Sequence, residues 1–505
     1  MSYGKIIIIG AGPGGLTAGM LLAHRGFEVI IYEKAKVVGG RNAPIIKDGY
    51  VFDTGPTFLM MKFILDEVFE EAGANINDYI NAYKLDPMYR LQFKDFSIDI
   101  SDNKKKMVSE IRRLFPNEIS GLEKFMKTES MRFKRFFPCL QKDYSSIKEY
   151  FKPVFIRALP YIFTTKSMMQ VLDNYFNDDR LKICFTFQAK YLGMSPWSCP
   201  GQFMIIPYIE HAFGIYHVEG GLSEISFAME KVFKKNNGKL KLNTPVKKII
   251  IKDGKAIGVE LKNGKKDYAD NIIVNADFSY AITNLIDKNQ WYNIKRWNPK
   301  KLKKKKYSCS TFMLYLGVDK LYDMPHHTIV FADNYKKNID DVFLNKRLSD
   351  DISIYIRNAS INDKKIAPKN HSAIYILVPV SNTDSNINWS KERKRFRDLV
   401  IETIKRKTIM KDIDKHIKTE IIVTPKDWEN NNIYNGATFN LAHTIDQMLY
   451  LRPHNKFEDI ENLWLVGGGT HPGSGLPTIY ESGRITANMI SKSYRIKFFT
   501  KNLEV

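Results

Sequence analysis

KIIIIGAGPGGLTAGMLLAHRGFEVIIYE, residues 5 to 33, decides the fold. Lys5 to Ile9 is a run of β-branched apolar residues, Gly10 to Gly15 is a glycine turn, and Leu16 to Arg25 reads as a helix ended by Gly26. Phe27 to Tyr32 is then a second strand. Strands apolar at every position suit a parallel sheet covered on both faces, so the unit predicted is βαβ.

Within it, Gly10-Ala11-Gly12-Pro13-Gly14-Gly15 matches G-x-G-x-x-G between a strand and a helix, and Glu33 closes the next strand 18 residues after Gly15. Each part has a physical task. Gly10 permits the tight turn, Gly12 lets a pyrophosphate approach the backbone, and Gly15 brings helix against strand. The partly positive helix start receives negative charge, and Glu33 is placed to hydrogen-bond ribose hydroxyls. Dinucleotide binding follows. Choosing the dinucleotide needs the next glycines, Gly39 and Gly40, with Arg41 behind them to offer a fixed guanidinium, and then Asp53-Thr54-Gly55-Pro56.

Composition bounds the rest. At 505 residues the chain is long enough for two or three domains, and 44% hydrophobic with 26% charged residues is the balance of a globular protein. Cys139, Cys184, Cys199 and Cys309 lie far apart without a C-x-x-C pair, and the first motif begins within ten residues of Met1; a reducing cytoplasm is expected. Apolar stretches such as Val154 to Phe163 are shorter than the roughly 20 residues that span a bilayer. The net charge of +22 fits either an anionic membrane surface or a Lys- and Asn-rich composition with no partner behind it. No nucleic-acid module is visible, and no nucleic-acid partner is expected.

Residues 105 to 210 read as mainly helical, with aromatic and basic residues interleaved in Arg132 to Phe137 and Tyr150 to Arg157. Phe136, Phe137, Phe151, Phe155, Met168, Met169, Phe185, Phe187, Phe203 and Met204 either line an apolar tunnel or form core. The basic residues among them suit a surface lying in lipid headgroups. Short strands return at Leu240 to Leu242, Val246 to Ile251, Ile257 to Leu261 and Asn271 to Val274, as sheet added to the nucleotide domain. Strands follow at Thr311 to Leu316 and Ile374 to Val380, and a charged helix near 391 to 407. Leu463 to Ile490 repeats strand, glycine turn and helix, so both chain ends are expected at one cofactor. Pro477 suits a first helical position, and Gly473 and Gly475 free backbone N–H groups to stabilise negative charge, unless the turn is a plain cap.

Glu33, Gly39-Gly40-Arg41 and Phe52 to Thr57 resemble the opening of bacterial phytoene desaturases, an FAD-dependent branch of the amine-oxidase-like flavoproteins. The resemblance continues in Ser195-Pro196, His217 to Gly221, Val274 to Asp277 and Arg452-Pro453-His454. Leu465 to Pro477 carries it most specifically, and only 105 to 190 is unanchored. It implies an α/β fold: a Rossmann-type FAD-binding domain, an interleaved α+β substrate domain and a mainly helical membrane-facing region. The segments expected are 1–100, 215–290 and 441–505 for FAD, 101–214 for membrane and substrate entry, and 291–440 for substrate. It implies FAD held by Gly10, Gly12, Gly14, Gly15, Glu33, Lys34, Gly40, Arg41, Thr54, Gly55, Pro56, the Val246 backbone, Gly469, Thr470, Gly475, Leu476, Pro477 and Thr478. Many related flavoproteins have an acidic residue where Thr470 stands, so no ribityl-binding carboxylate is carried over.

The implied reaction dehydrogenates a long apolar polyisoprenoid, with quinone or oxygen reoxidising the flavin. The protein is expected in the cytoplasm, peripherally attached to anionic membrane. No nucleophile triad or metal cluster is recognisable, which fits a cofactor that takes the hydride itself. Glu210, His211, His217 and His471 are candidates for a base or for cation stabilisation, or else satisfied structural residues. Relatives that saturate a polyene or oxidise its ends, and a flavin-free isoprenoid chaperone, are the alternatives; the intact glycines and Glu33 oppose the last.

Overall fold

The structure, a computed structural model, describes residues 2–162 and 165–501. Phe163, Thr164 and 502–505, which fall in the expected membrane-facing and C-terminal segments, lie outside the described residues.

A five-stranded parallel sheet runs in the order Leu463–Leu465, Asn271–Val274, Lys5–Ile9, Glu28–Tyr32, Lys239–Lys241. Ile6, Ile7 and Ile8 are fully buried, because layers pack on both faces of this sheet. The helix Pro13–His24 covers one face with every residue from Gly14 to Ala23 buried, held between the helices Ser223–Lys235 and Leu476–Ser493. On the other face sits the three-stranded antiparallel sheet Val246–Lys252, Lys255–Leu261, Lys266–Tyr268.

The second large sheet has seven strands in the order Ile417–Val423, Ser310–Val318, Ser372–Val380, Ile354–Asn358, His327–Val330, Tyr89–Gln92, Ser97–Ile100. It is antiparallel except where Tyr89–Gln92 runs parallel to His327–Val330. The segment 1–100 therefore ends in strands of this second sheet. Leu91 and Ile98 take part in its buried side, while Arg90 and Asp99 pair across the outer side at 2.7 Å. The helix Trp389–Lys407 packs its Phe396, Val400, Ile401 and Ile404 face on this sheet.

Between Lys104 and Phe213 the chain is helical, with Ile119–Leu140 the longest element. Most of the aromatic and Met residues here are core: Phe137, Phe155, Met168, Phe185, Phe187 and Met204 are all buried. Phe151 differs, with 72% of its surface exposed. All four cysteines are buried and unpaired.

Candidate functional site

The glycine turn is built as its residue types require. Gly10 adopts φ +100°, and its N–H donates to Tyr32 O (2.8 Å). Gly12 is the N-cap of Pro13–His24, with Pro13 in the first turn, and no side-chain cap covers that helix start. A Cβ on Gly15 would overlap the Gly10 carbonyl oxygen. Asn275, at the end of the neighbouring strand, donates through Nδ2 to Gly10 O (3.1 Å) and fixes the turn from behind. Gly14 meets the C-terminal segment directly: a Cβ there would lie 3.2 Å from Gly467 N, and one on Gly483 2.7 Å from Gly14 O. The two glycine turns thus face each other, as the strand, turn, helix pattern at both ends of the chain predicts.

Glu33 is buried, and its carboxylate accepts from Ala11 N–H (2.7 Å) and Ala35 N–H (2.8 Å). Each oxygen keeps a further lone pair for a ribose hydroxyl. Lys34 points away, donating to Asn431 O (3.1 Å). Thr244 N–H donates to Glu33 O (2.8 Å) and Asn243 N–H to Ala35 O (2.9 Å), which sets the Val246 strand beside this end of the site.

Gly39 (φ +110°) and Gly40 (φ +54°) lead the chain across the turn into Arg41. Arg41 donates to Thr438 O (2.5 Å), and Asn440, its amide oriented to satisfy both neighbours, accepts from Arg41 (3.1 Å) and donates to Asp277 (2.7 Å). Burial pushes the Asp277 carboxyl up and the Arg41 guanidinium down, each opposed by the other's charge. Thr54 Oγ1 donates to Arg41 O (2.9 Å) and Ala43 O (2.8 Å). Tyrosines from three neighbouring strands of the second sheet then hold the strap in sequence. Tyr315 donates to Thr54 O (2.8 Å), Tyr375 to Gly55 O (2.9 Å), and Tyr355 pairs with Thr57 Oγ1 (2.7 Å). Gly55 and Pro56 stay partly accessible on the opposite side.

On the C-terminal side, Gly469 and Thr470 are buried in the turn before Leu476–Ser493. Gly475 caps that helix at φ +116°, with Leu476 and Pro477 buried behind it. Thr478 Oγ1 donates back to Gly473 O (3.0 Å) and Gly475 O (2.9 Å). Arg452 is the organiser sequence reasoning missed as such. Fully buried, it turns its guanidinium on the carbonyls of Gly468 (2.7 Å), Thr470 (3.2 Å), Gln447 (3.3 Å) and Leu441 (3.4 Å). Desolvation pulls its pKa down to about 9.

The histidine and glutamate candidates do not converge. His471 bonds Lys142 O (2.9 Å) at the end of the long helix, and burial drops its pKa to about 3. His211 bonds Ser101 O (3.2 Å) and titrates at about 4 for the same reason. Glu210 accepts from Tyr89 (2.8 Å) and Gln188 (2.8 Å). His217 pairs with Asp363 (2.8 Å) beside Arg357, which also meets Asp53 at 3.0 Å, in a network that ties the strap to the second sheet. Each is committed to a structural partner, and among the described residues no group of His, Cys, Asp and Glu could hold a metal ion.

The glycine cradle, the uncapped helix start and the spare lone pairs of Glu33 fit FAD. Comparison with known proteins bears on the same point. Residues 13–491 match the model of the flavin containing amine oxidoreductases. Over 98% of the chain, and 96% of the relative, the sequence is 49% identical to a 4,4'-diapophytoene desaturase (4,4'-diapolycopene-forming) of a Methylomonas species. It is 35% identical to the all-trans-zeta-carotene desaturase of Myxococcus xanthus over 97% of the chain and 94% of that protein. Among solved structures, an oxidoreductase from Methanosarcina mazei superposes with a TM-score of 0.64 at 16% identity, covering 97% of this chain and all of that one. Cyclohexylamine oxidase from Brevibacterium oxydans gives 0.60 at 12% identity, with 97% and 99% covered.

Proposed function

The chain belongs to the flavin-containing amine oxidoreductases and, among them, to the carotenoid desaturases, and from that membership we propose that its substrate is a thirty-carbon linear polyene of the diapophytoene type. It is an FAD-dependent desaturase of a linear carotenoid precursor. What supports the chain length is the 49% identity, across nearly the whole chain, to a diapophytoene desaturase.

In this reading Gly12, Gly14 and Gly15 receive the pyrophosphate at the helix start, and Glu33 takes the ribose hydroxyls. The Gly40-Arg41 and Thr54-Gly55-Pro56 strap and the Gly469 to Thr478 turn flank the flavin. Bound FAD supplies the acceptor for hydride leaving an allylic carbon. The protein holds the polyene in register and keeps water out. The tyrosines on Thr54, Gly55 and Thr57 fix the strap from below, and Arg452 pulls the carbonyls of the C-terminal turn away from the cofactor.

Attachment to anionic membrane belongs to the same proposal. Ile147, Phe151, Ile156 and Leu159 are exposed by 60%, 72%, 50% and 36%, beside exposed Lys148, Lys152 and Arg157. Large apolar side chains standing among cations suit the headgroup boundary. Among the described residues no helix is long and apolar enough to cross a membrane.

The test supplies diapophytoene or phytoene in vesicles, with oxygen or with quinone under anaerobiosis, and resolves products by chromatography and visible absorbance. The thirty-carbon substrate is expected to give the longer conjugated product at the higher kcat/KM, and preference for the forty-carbon substrate refutes the chain length. The double variant F151S, I156S is expected to lose flotation with anionic vesicles. Equal flotation of wild type on neutral and anionic vesicles at low salt refutes attraction by charge.

A further inference from the structure

Of the three tyrosines under the strap, two end on backbone carbonyls, which accept a hydrogen bond and pass nothing on: Tyr315 on Thr54 O and Tyr375 on Gly55 O. Tyr355 differs. Its hydroxyl meets another hydroxyl, Thr57 Oγ1 (2.7 Å), on one side and an imidazole nitrogen, His327 Nδ1 (2.8 Å), on the other. Each of these three groups both donates and accepts. Thr57 and His327 are buried, and Thr57 stands one residue beyond Pro56 of the strap assigned to the flavin.

The other end of this row reaches the surface. The His327 ring lies 4.4 Å from the His326 ring, centre to centre, and His326 lines a surface cavity with Asp86, Pro87, Arg90, Asp323 and Asn362. Arg357, on the neighbouring strand, fixes the tautomers around it, since a guanidinium only donates. Its Nε–H donates to His326 Nε2 (3.3 Å), so the neutral His326 ring carries its proton on Nδ1. It also donates to His217 Nδ1 (3.3 Å), whose other nitrogen is spent on Asp363 (2.8 Å), so that branch is closed. The remaining charge facing the cluster is Asp53, paired with Arg357 at 3.0 Å. Burial keeps His326 and His327 neutral. Neither His326 Nδ1 nor His327 Nε2 has a hydrogen-bond partner among the described residues.

We propose that Thr57, Tyr355 and His327 form a relay that carries the proton of each desaturation from the flavin side of the strap to the cavity at His326. The inference rests on the desaturase reading and deepens it. An apolar polyene gives up a hydride and a proton for each new double bond, and a proton left in a water-excluded interior is costly. When hydride has left one carbon for bound FAD, the neighbouring C–H bond breaks and its electron pair becomes the new C=C bond. The proton joins Thr57 Oγ1, the Thr57 hydroxyl proton passes to Tyr355, the Tyr355 proton to His327 Nδ1, and the His327 Nε2 proton to a cavity water. His326 is a positioning residue: its Nδ1–H donates to that water and holds it. Rotation of the two hydroxyls and of the His327 ring resets the chain.

The test mixes the FAD-bound protein anaerobically with diapophytoene in vesicles, in weak buffer, and follows flavin absorbance together with a pH-indicator dye. Wild type is expected to release one proton per flavin reduced, without lag. T57V and Y355F are expected to keep FAD binding and KM within a few-fold while proton release slows about 10²-fold or more, and T57S is expected to restore it. Release from T57V and Y355F as fast as from wild type overturns the proposal, and where Y355F fails to fold the T57V and T57S pair decides. A wild type whose flavin no acyclic precursor reduces overturns the desaturase reading instead. The relay is then judged without substrate, by photoreduction of bound FAD with a deazaflavin, which draws a proton from the medium: uptake slowed in T57V and restored in T57S supports it, and equal uptake overturns it. In the apo protein, nitrogen NMR of labelled histidine is expected to find His326 protonated at Nδ1, and a proton on Nε2 removes it from the path.

Discussion

Alanine at Gly12 and alanine at Gly15 are expected to fail in different ways, although both glycines belong to one motif. Gly12 has φ −76°, which any residue tolerates, and a Cβ there would meet only Asn275 Nδ2 at 3.0 Å before reaching Gly39 O at 3.9 Å. Asn275 can yield by a few tenths of an ångström, so G12A is expected to cost the fold less than about 1 kcal/mol, within the range of substitutions that meet no backbone. The methyl does stand beside the uncapped helix start, where it holds a phosphate off the N–H groups. Losing one charge-assisted hydrogen bond costs about 1.5–3 kcal/mol, which is roughly a 10- to 150-fold weaker Kd for FAD. Gly15 is the reverse. Its Cβ would overlap the Gly10 carbonyl oxygen and lie 2.9 Å from Asn275 Nδ2. Backbone must move there, at the upper end of the roughly 1–3 kcal/mol that overpacking costs. Thermal melts of the apo proteins and FAD titration by flavin fluorescence separate the two. G12A should melt with wild type and bind poorly, whereas G15A should melt several degrees lower. If G12A binds FAD as wild type does, or G15A leaves the apo melt unchanged, the division of labour between these glycines is wrong.

Arg484 donates to Glu67, Glu71 and Glu481, all buried, and Glu71 is also met by Arg25 at 3.7 Å and by the Lys501 N–H at 2.9 Å. R484M strands carboxylates in the core and should cost about 3–5 kcal/mol; a loss under 1 kcal/mol in the thermal melt would refute this. His211 and His471 titrate at about 4 and about 3, and burial holds His326, His327 and His443 well below the ordinary value. Between pH 6.5 and 4 the unfolded chain binds more protons than the folded one at these sites, so stability falls as pH falls through that window. The loss is up to about 2 kcal/mol per histidine at pH 5, and an unchanged melting temperature between pH 7.5 and 5 would contradict it. E33Q keeps the shape of Glu33 but turns an amide N–H₂ toward one of the N–H groups of Ala11 and Ala35. Its FAD affinity, measured by fluorescence titration, should drop by about tenfold or more, and undiminished affinity would remove Glu33 from the site.

What the sequence made legible was governed by local backbone physics. The strand, glycine turn and helix from Lys5 to His24 read correctly because φ, apolar period and helix start are all written within a few residues. The Trp389–Lys407 helix and the Leu476–Ser493 helix were visible for the same reason. Tyr89–Gln92 was not, since its partner is His327–Val330 and nothing near Tyr89 announces a parallel pairing so distant in the chain. The site divides along the same line. Glycines declared themselves, while Arg452, Asn440 and the tyrosines on the strap act only through tertiary hydrogen bonds. The histidines were visible as residue types, but whether a buried imidazole is spent on a carbonyl, as His471 is on Lys142 O, has no local signature.

The opening strand Lys5–Ile9 lies in mid-sheet, and its neighbour Asn271–Val274 is itself flanked by Leu463–Leu465. On the ribosome, the glycine turn is therefore finished roughly 450 residues before the segment that faces it, a delay on the order of 20–90 s at about 5–20 residues per second. Until Asn271–Val274 emerges, the isoleucines Ile6 to Ile9 have no lasting neighbour beyond Glu28–Tyr32, and until the C-terminal segment emerges the helix start has no opposing wall. Cofactor capture must then be a late event of biosynthesis. Any nascent chain released before Leu463 carries an exposed apolar sheet edge that invites aggregation and degradation, so the cell's yield of holoprotein is set by how well that unfinished edge is shielded.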